Sequence, residues 1–276
     1  TDSVLITEAE PFDEPGPRIL YANEAFTKMT GYTAEELIGK TARILQGPKT
    51  DKTELKRLSK ALRSWESCEV TVVNYKKSGE EFWVNFSVNP VADEKGWFTH
   101  WIATERDVTI RKNEELQNEL IADISAVYNE PLKINEALDK TLRCIANFGD
   151  FCFAEAWLTS TDKNSLNKIS IHAATENVKL FIEETNSIDT FMYGEDFPGI
   201  VSKAKEIIIL GDLEIQKQFS RRDAALKYGL KTIIGVPLVN NNDVVGVLIF
   251  GVDYEVASIC KYHNLFKKLG DYLSPE

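Results

Sequence analysis

Asp107-Val108-Thr109-Ile110-Arg111-Lys112 divides the chain of 276 residues into two strand-rich blocks of comparable size. From there to Val127 the sequence is charged, and the apolar residues Leu116, Leu120, Ile124 and Val127 recur at steps of four, four and three. That spacing puts one apolar stripe on a helix whose other faces carry Glu, Asn, Gln and Lys. So narrow a stripe suits a partner helix better than a domain core, and it predicts a homodimer joined through this linker helix. Asp107 is placed to cap the helix or to pair with Arg111 at its start. Asn129-Glu130-Pro131 ends it, because proline disfavours helical backbone at the residue before it.

Upstream, residues 4–7 and 19–22 read as short strands around a turn-rich insert, Glu10-Pro11-Phe12-Asp13-Glu14-Pro15-Gly16-Pro17. Asn23 is set to cap a short helix that ends at Gly31-Tyr32. Thr33 followed three residues later by Glu36 is a capping box for a second helix. Residues 53–62 are helical by composition, and three strands follow at 69–74, 81–90 and 99–107. Hairpin turns at 77–80 and 93–96 join them.

Tyr21-Ala22-Asn23-Glu24-Ala25-Phe26, Thr30-Gly31-Tyr32, Glu35-Glu36-Leu37-Ile38-Gly39 and the closing Asp107-Val108-Thr109 resemble a PAS domain. The runs Arg43-Ile44-Leu45-Gln46-Gly47-Pro48-Lys49-Thr50-Asp51 and Asn74-Tyr75-Lys76-Lys77-Ser78-Gly79-Glu80-Glu81-Phe82-Trp83 resemble its light-oxygen-voltage (LOV) group, which are flavin photoreceptors. The resemblance implies flavin-pocket positions at Arg43, Gln46, Asn74, Phe86 and Glu105. Arginine suits phosphate because its fork binds two oxygens at once, and amide side chains both donate and accept at a ring edge. The departures are specific. Ala42 stands where the family keeps the cysteine that forms a flavin adduct, and Cys68 does not match that motif. Ser59 replaces a second phosphate-binding arginine, with Lys56, Arg57 and Lys60 nearby; Thr41 and Val84 replace asparagines; Glu105 replaces a signalling glutamine. An ionised carboxylate there only accepts. The expected pocket is therefore empty or holds some other small molecule, with flavin (FMN) as the alternative. Phe82, Trp83, Phe86, Trp97, Phe98 and Trp101 read as core and sheet surface before they read as a cofactor box.

Downstream, residues 132–147 carry an amphipathic stripe at 134, 138, 142 and 145. Strands are expected at 151–158, 168–174 and 206–210, a short helix from Phe197, and a last helix at 255–273. Residues 229–238 and 243–251, turning at Asn240-Asn241-Asn242, give the strongest hairpin signal. Phe197-Pro198-Gly199, Ala225 with Gly229-Leu230, Gly235-Val236-Pro237-Leu238 and Val245-Gly246-Val247-Leu248 resemble a GAF domain. No Cys-His pair for a bilin is present, and Ser220-Arg221-Arg222-Asp223 reads as a solvated basic run. The expected architecture is α+β: a PAS/LOV-like domain over 1–108, a linker signalling helix over 109–131 and a GAF domain over 132–276, each domain a central antiparallel sheet flanked by helices.

Net charge −11 argues against nucleic acid as a partner. No apolar run approaches the roughly 20 residues of a membrane helix, and no signal peptide is visible. The four cysteines form no CxxC or Cys/His cluster, which fits reduced cytoplasmic thiols and no metal site. Motifs for phosphate loops, dinucleotide binding, zinc hydrolysis and serine nucleophiles are missing, so no catalytic residue is assigned. His100 and His172 fall in strands, and His263 in the last predicted helix. The sequence reads as a cytoplasmic sensory and dimerisation module in front of a kinase or other output domain, as in a sensor histidine kinase. The alternative is a blue-light photoreceptor that signals by photoreduction without a cysteinyl adduct.

Overall fold

The two blocks separate into two units, Thr1–Glu115 and Leu116–Glu276. The computed structural model describes residues 2–254 together with Leu265, Phe266 and Leu269, which are helical. The rest of the predicted last helix, His263 included, lies outside the described residues.

In the first unit, β1 (Ser3–Glu8) and β2 (Ile19–Ala22) precede α1 (Glu24–Thr30), α2 (Ala34–Leu37), a 3-10 turn at Ala42–Leu45 and α3 (Lys52–Arg63). β3 (Cys68–Tyr75), β4 (Glu81–Ala92) and β5 (Phe98–Asp107) complete an antiparallel sheet of order β2-β1-β5-β4-β3. The caps form where the sequence places them. Asn23 Oδ1 accepts from Phe26 N and from Val4 N, both at 3.0 Å, so one side chain starts α1 and ties it to β1. Thr33 and Glu36 close the capping box at 3.3 and 3.0 Å. Leu5, Ile19, Phe26, Leu37, Leu45 and Trp101 make the core between helices and sheet.

α4 (Thr109–Tyr128) begins in the first unit and continues in the second. Asp107 Oδ1 accepts from Thr109 N at 2.9 Å, and Thr109 Oγ1 accepts from Trp83 N at 2.9 Å, so the helix start is bonded to β4 and β5. Arg111 does not pair with Asp107; it faces Glu115 one turn on, at 3.6 Å.

The second unit runs α5 (Ile134–Gly149), β6 (Phe153–Thr159), β7 (Ser165–Ala173), α6 (Glu176–Thr185), β8 (Thr190–Met192), α7 (Asp196–Ala204) and β9 (Ile208–Leu210). A 3-10 turn, α8 (Arg222–Lys227) and the hairpin β10 (Thr232–Asn240) and β11 (Asp243–Val252) follow. Its sheet has the order β8-β7-β6-β11-β10-β9. Alternate residues of β6 face opposite sides. Ala154 and Ala156 pack with Leu142 and Ile145 of α5, whereas Phe153 and Trp157 pack with Phe181 of α6 and Phe197 of α7. Both faces are covered, which is why β10 and β11 are apolar throughout and why the hairpin is so plain in the sequence.

Two expectations are corrected here. Leu120 and Ile124 sit in the second unit's core with Leu142 and Ile145. These two residues of the stripe therefore pack in a domain core, where the spacing suggests a partner helix. Arg221, expected on a solvated run, is buried against Glu155; its neighbours Ser220 and Asp223 are exposed, as expected, and Arg222 is half-buried.

Candidate functional site

α3 has an amphipathic sequence but no fully buried residue. Its apolar side, Leu55, Leu58 and Leu62, lines a cavity of about 280 Å³ in the first unit, and Leu58 and Leu62 also pack against the core. The opposite wall is sheet: Leu5 and Thr7 of β1, Val72 and Asn74 of β3, Phe86 and Val88 of β4, and Trp101, Ala103 and Glu105 of β5. Strand alternation sets this list, since residues two apart share a face. Thr41, Ala42, Arg43, Leu45 and Gln46 close one end, and Phe12, Gly16 and Pro17 bring the insert across the mouth.

All five residues singled out from the sequence, Arg43, Gln46, Asn74, Phe86 and Glu105, line this one cavity. Their environments differ. Asn74 and Glu105 are buried, Phe86 is half-buried, and Arg43 and Gln46 are exposed. Arg43 Nη1 lies 3.1 Å from Glu14 Oε1 of the insert, a solvent-exposed pair. Its guanidinium lies beside Gly16, 3.7–3.9 Å from where a Cβ on that residue would stand, an ordinary van der Waals distance. Ser59 lines the cavity, whereas Arg57 turns to Glu54, to Cys68 Sγ at 3.4 Å and to the carbonyl of Glu69.

Glu105 is the group whose chemistry the sequence misjudges. Burial pushes its carboxyl from an ordinary 4.5 up to about 8, and its Oε2 has no hydrogen-bond partner. At neutral pH the group is mostly protonated, so it donates as well as accepts, as an amide would. Ala42 presents a methyl group to the cavity, while Cys68 opens β3 outside the lining. No cluster of potential metal ligands occurs among the described residues.

The sequence did not foresee the aromatic group at the mouth. Trp101 forms part of the wall and donates from Nε1 to Ala9 O at 3.0 Å. Trp65 stacks on Trp101 and on Phe98, and Phe12 meets Trp65 edge-on at 5.1 Å. Asp13 and Arg63, 2.5 Å apart, fasten the insert beside them. Of the six aromatics read as core or sheet surface, Phe82 and Trp101 are buried, Trp83 and Phe86 are half-buried, and Trp97 and Phe98 are exposed.

An apolar cavity lined by aromatic rings, with amide and carboxyl groups on its sheet wall and an exposed cation at one end, suits a flat heterocycle carrying an anionic tail. The orphaned Oε2 of Glu105 supplies the ring-edge partner that an ionised carboxylate would not. The residues present fit a flavin in these respects.

Residues 2–109 match the family model of the PAS domain. The blue-light-activated histidine kinase of Brucella anthropi is 43% identical over 118 residues, which are 42% of this chain and 23% of that protein. The Brucella canis protein of the same name is 33% identical over 146 residues, 53% of this chain and 29% of that protein. The chain thus spans less than a third of the length of these relatives. Among solved structures, the LOV domain of the Erythrobacter litoralis blue-light activated histidine kinase is 32% identical, covering 39% of this chain and 96% of that one, with a TM-score of 0.36. No helix among the described residues is long and apolar enough to cross a membrane. The first unit is a PAS domain of the LOV-like kind.

Proposed function

We propose that this chain is the sensory input part of a cytoplasmic signal-transduction protein of the histidine kinase type, in which the PAS cavity binds a small ligand. The observation that carries the reading is the cavity itself. Leu55, Leu58 and Leu62 of α3 line it opposite the buried Asn74 and Glu105, an apolar enclosure with a few polar groups of the kind that holds small molecules. Two relatives matched through this region are named blue-light-activated histidine kinases, which supports a kinase output beyond this chain. Residues 1–108 are the sensor, 109–131 the connector and 132–276 a GAF domain, a reading supported by a six-stranded antiparallel sheet with helices on both faces. Ligand occupancy acts on β5 through Glu105, and the Asp107–Thr109 cap hands that movement to α4. Dimerisation uses surfaces other than Leu120 and Ile124.

A second reading is favoured by Glu105 and Ala42. With a neutral carboxyl in the glutamine position and no thiol on the wall, the cavity suits a flavin that is photoreduced without an adduct. When bound, the flavin supplies light absorption and a one-electron acceptor. Asn74, Gln46 and Glu105 hold the ring edge, and Arg43 holds the phosphate after exchanging Glu14 for it, a small loss because exposed ion pairs contribute little. The visible spectrum of the purified protein, with native mass spectrometry, tests both readings. A flavin band bleached by blue light supports the second. A different bound molecule supports the first alone, and a protein that carries and takes up no small molecule overturns both.

A further inference from the structure

Trp101 on the cavity wall and Trp65 outside it lie face to face, with ring centroids 5.3 Å apart and planes 5° from parallel. Trp101 is buried and Trp65 half-buried, so the pair leads from the cavity towards solvent. Trp65 also stacks on the exposed ring of Phe98 at 4.7 Å. Its backbone is left-handed, with φ 57, immediately after the end of α3 where glycine is the usual residue. A bulky side chain is strained there. The structure nevertheless places an indole at this position, and stacking holds it.

We propose that Trp101 and Trp65 form a two-step electron relay between the protein surface and a photoexcited flavin-type ring in the cavity, with Glu105 as the proton source. The inference rests on the photoreceptor reading and assigns its electron donors. Trp101 gives one electron to the excited ring. Trp65 then gives one electron to Trp101, across two π systems in contact, and Trp101 is restored. The oxidised Trp65 loses its indole N–H proton to water, which its half-buried position allows. Trp101 has no such exit, because its own N–H is held by the carbonyl of Ala9. Glu105 lies four residues along β5 on the same face, and it gives its carboxyl proton to the ring and is left ionised. The ring gains one electron and one proton, Trp65 loses one of each, and water takes up the proton from Trp65. The second step separates the charges by a further ring, which slows their recombination. No thiol on the wall competes as donor, since Ala42 holds that place.

The test uses the full chain loaded with FMN as the probe, illuminated with blue light without added reductant. Transient absorption and electron paramagnetic resonance follow the tryptophan radical, and the loss of oxidised-flavin absorbance follows the net yield. The wild type is expected to form a long-lived tryptophan radical. Trp65→Phe keeps the first step and loses the long-lived radical, with the net yield down about tenfold. Trp65→Tyr, which restores an oxidisable ring, recovers part of the yield. Trp97→Phe, at a side chain 74% exposed, changes neither readout. A Trp65→Phe protein that binds FMN and forms the same radical in the same yield overturns the relay alone. A wild-type protein that does not bind FMN in a fluorescence titration overturns the relay together with the photoreceptor reading.

Discussion

Arg221 grips Glu155 with both ends of its guanidinium, Nη1 to Oε1 at 2.7 Å and Nη2 to Oε2 at 2.8 Å, and neither side chain reaches solvent. The rings of Phe153, Trp157, Phe181 and Phe219 surround the cation at 5.5–5.9 Å, and Trp157 Nε1 adds a bond to Oε2 at 3.1 Å. Removing one partner leaves an uncompensated charge in an aromatic core. Arg221→Met is expected to destabilise the second unit by about 3–5 kcal/mol in urea denaturation. Arg221→Met with Glu155→Leu should recover most of that loss. A single variant that loses less than about 1 kcal/mol would mean the pair is solvated, as exposed pairs are.

Ile124 is fully buried in the core of the second unit, clustered with Leu142, Ile145 and Phe250. Ile124→Ala is expected to cost about 3 kcal/mol of that unit's stability, by the lost transfer energy and the cavity left behind. The loss should not depend on protein concentration. If the stripe instead held a partner chain, the loss caused by Ile124→Ala would itself change with dilution, because association stabilises by mass action.

The elements legible in the sequence are those whose signal is local. Asn23, Thr33 and Glu36 mark helix starts because a cap is satisfied within a few residues, and β10 and β11 are marked by an unbroken apolar run closed by three asparagines. The cavity positions were legible through family resemblance, although their burial was not. Whether Glu105 is charged depends on what surrounds it, and no spacing encodes that. The fate of the α4 stripe and of Arg221 was hidden for a related reason. A periodic stripe shows that one face is apolar but not what covers it, and an arginine in a basic run finds its carboxylate on a strand 66 residues away. Helix α6 went unread although Thr175 caps it by accepting from Val178 N at 3.3 Å, a signal of the same kind as Thr33.

Asn23 makes three long- or short-range bonds with one side chain: Oδ1 accepts from Phe26 N and Val4 N, and Nδ2 donates to Asp2 O at 2.9 Å. Asn23→Ala should therefore cost more than an ordinary cap, about 2 kcal/mol in thermal or urea unfolding. Asn23→Asp keeps both accepting contacts and loses only the donated one, so its loss should be smaller. Equal losses for the two variants would show that the Nδ2 bond to Asp2 dominates.

The buried carboxyl of Glu105 makes the first unit's stability depend on pH in a defined direction. Its folded pKa of about 8 lies above the ordinary 4.5, so the folded state holds the proton more tightly than the unfolded chain. The contribution is fully present below about pH 4.5 and is lost as pH rises towards 8. By pH 7 the wild type has lost about 3 kcal/mol that a residue without this titration keeps. Glu105→Gln has nearly the same shape and stays neutral. It is expected to exceed the wild type in stability by a margin that grows from pH 5 to pH 8 and disappears near pH 4. Unfolding curves for the two proteins at a series of pH values measure this directly. A margin independent of pH would place the Glu105 carboxyl in contact with solvent or with a cation, against its burial and the unpartnered Oε2.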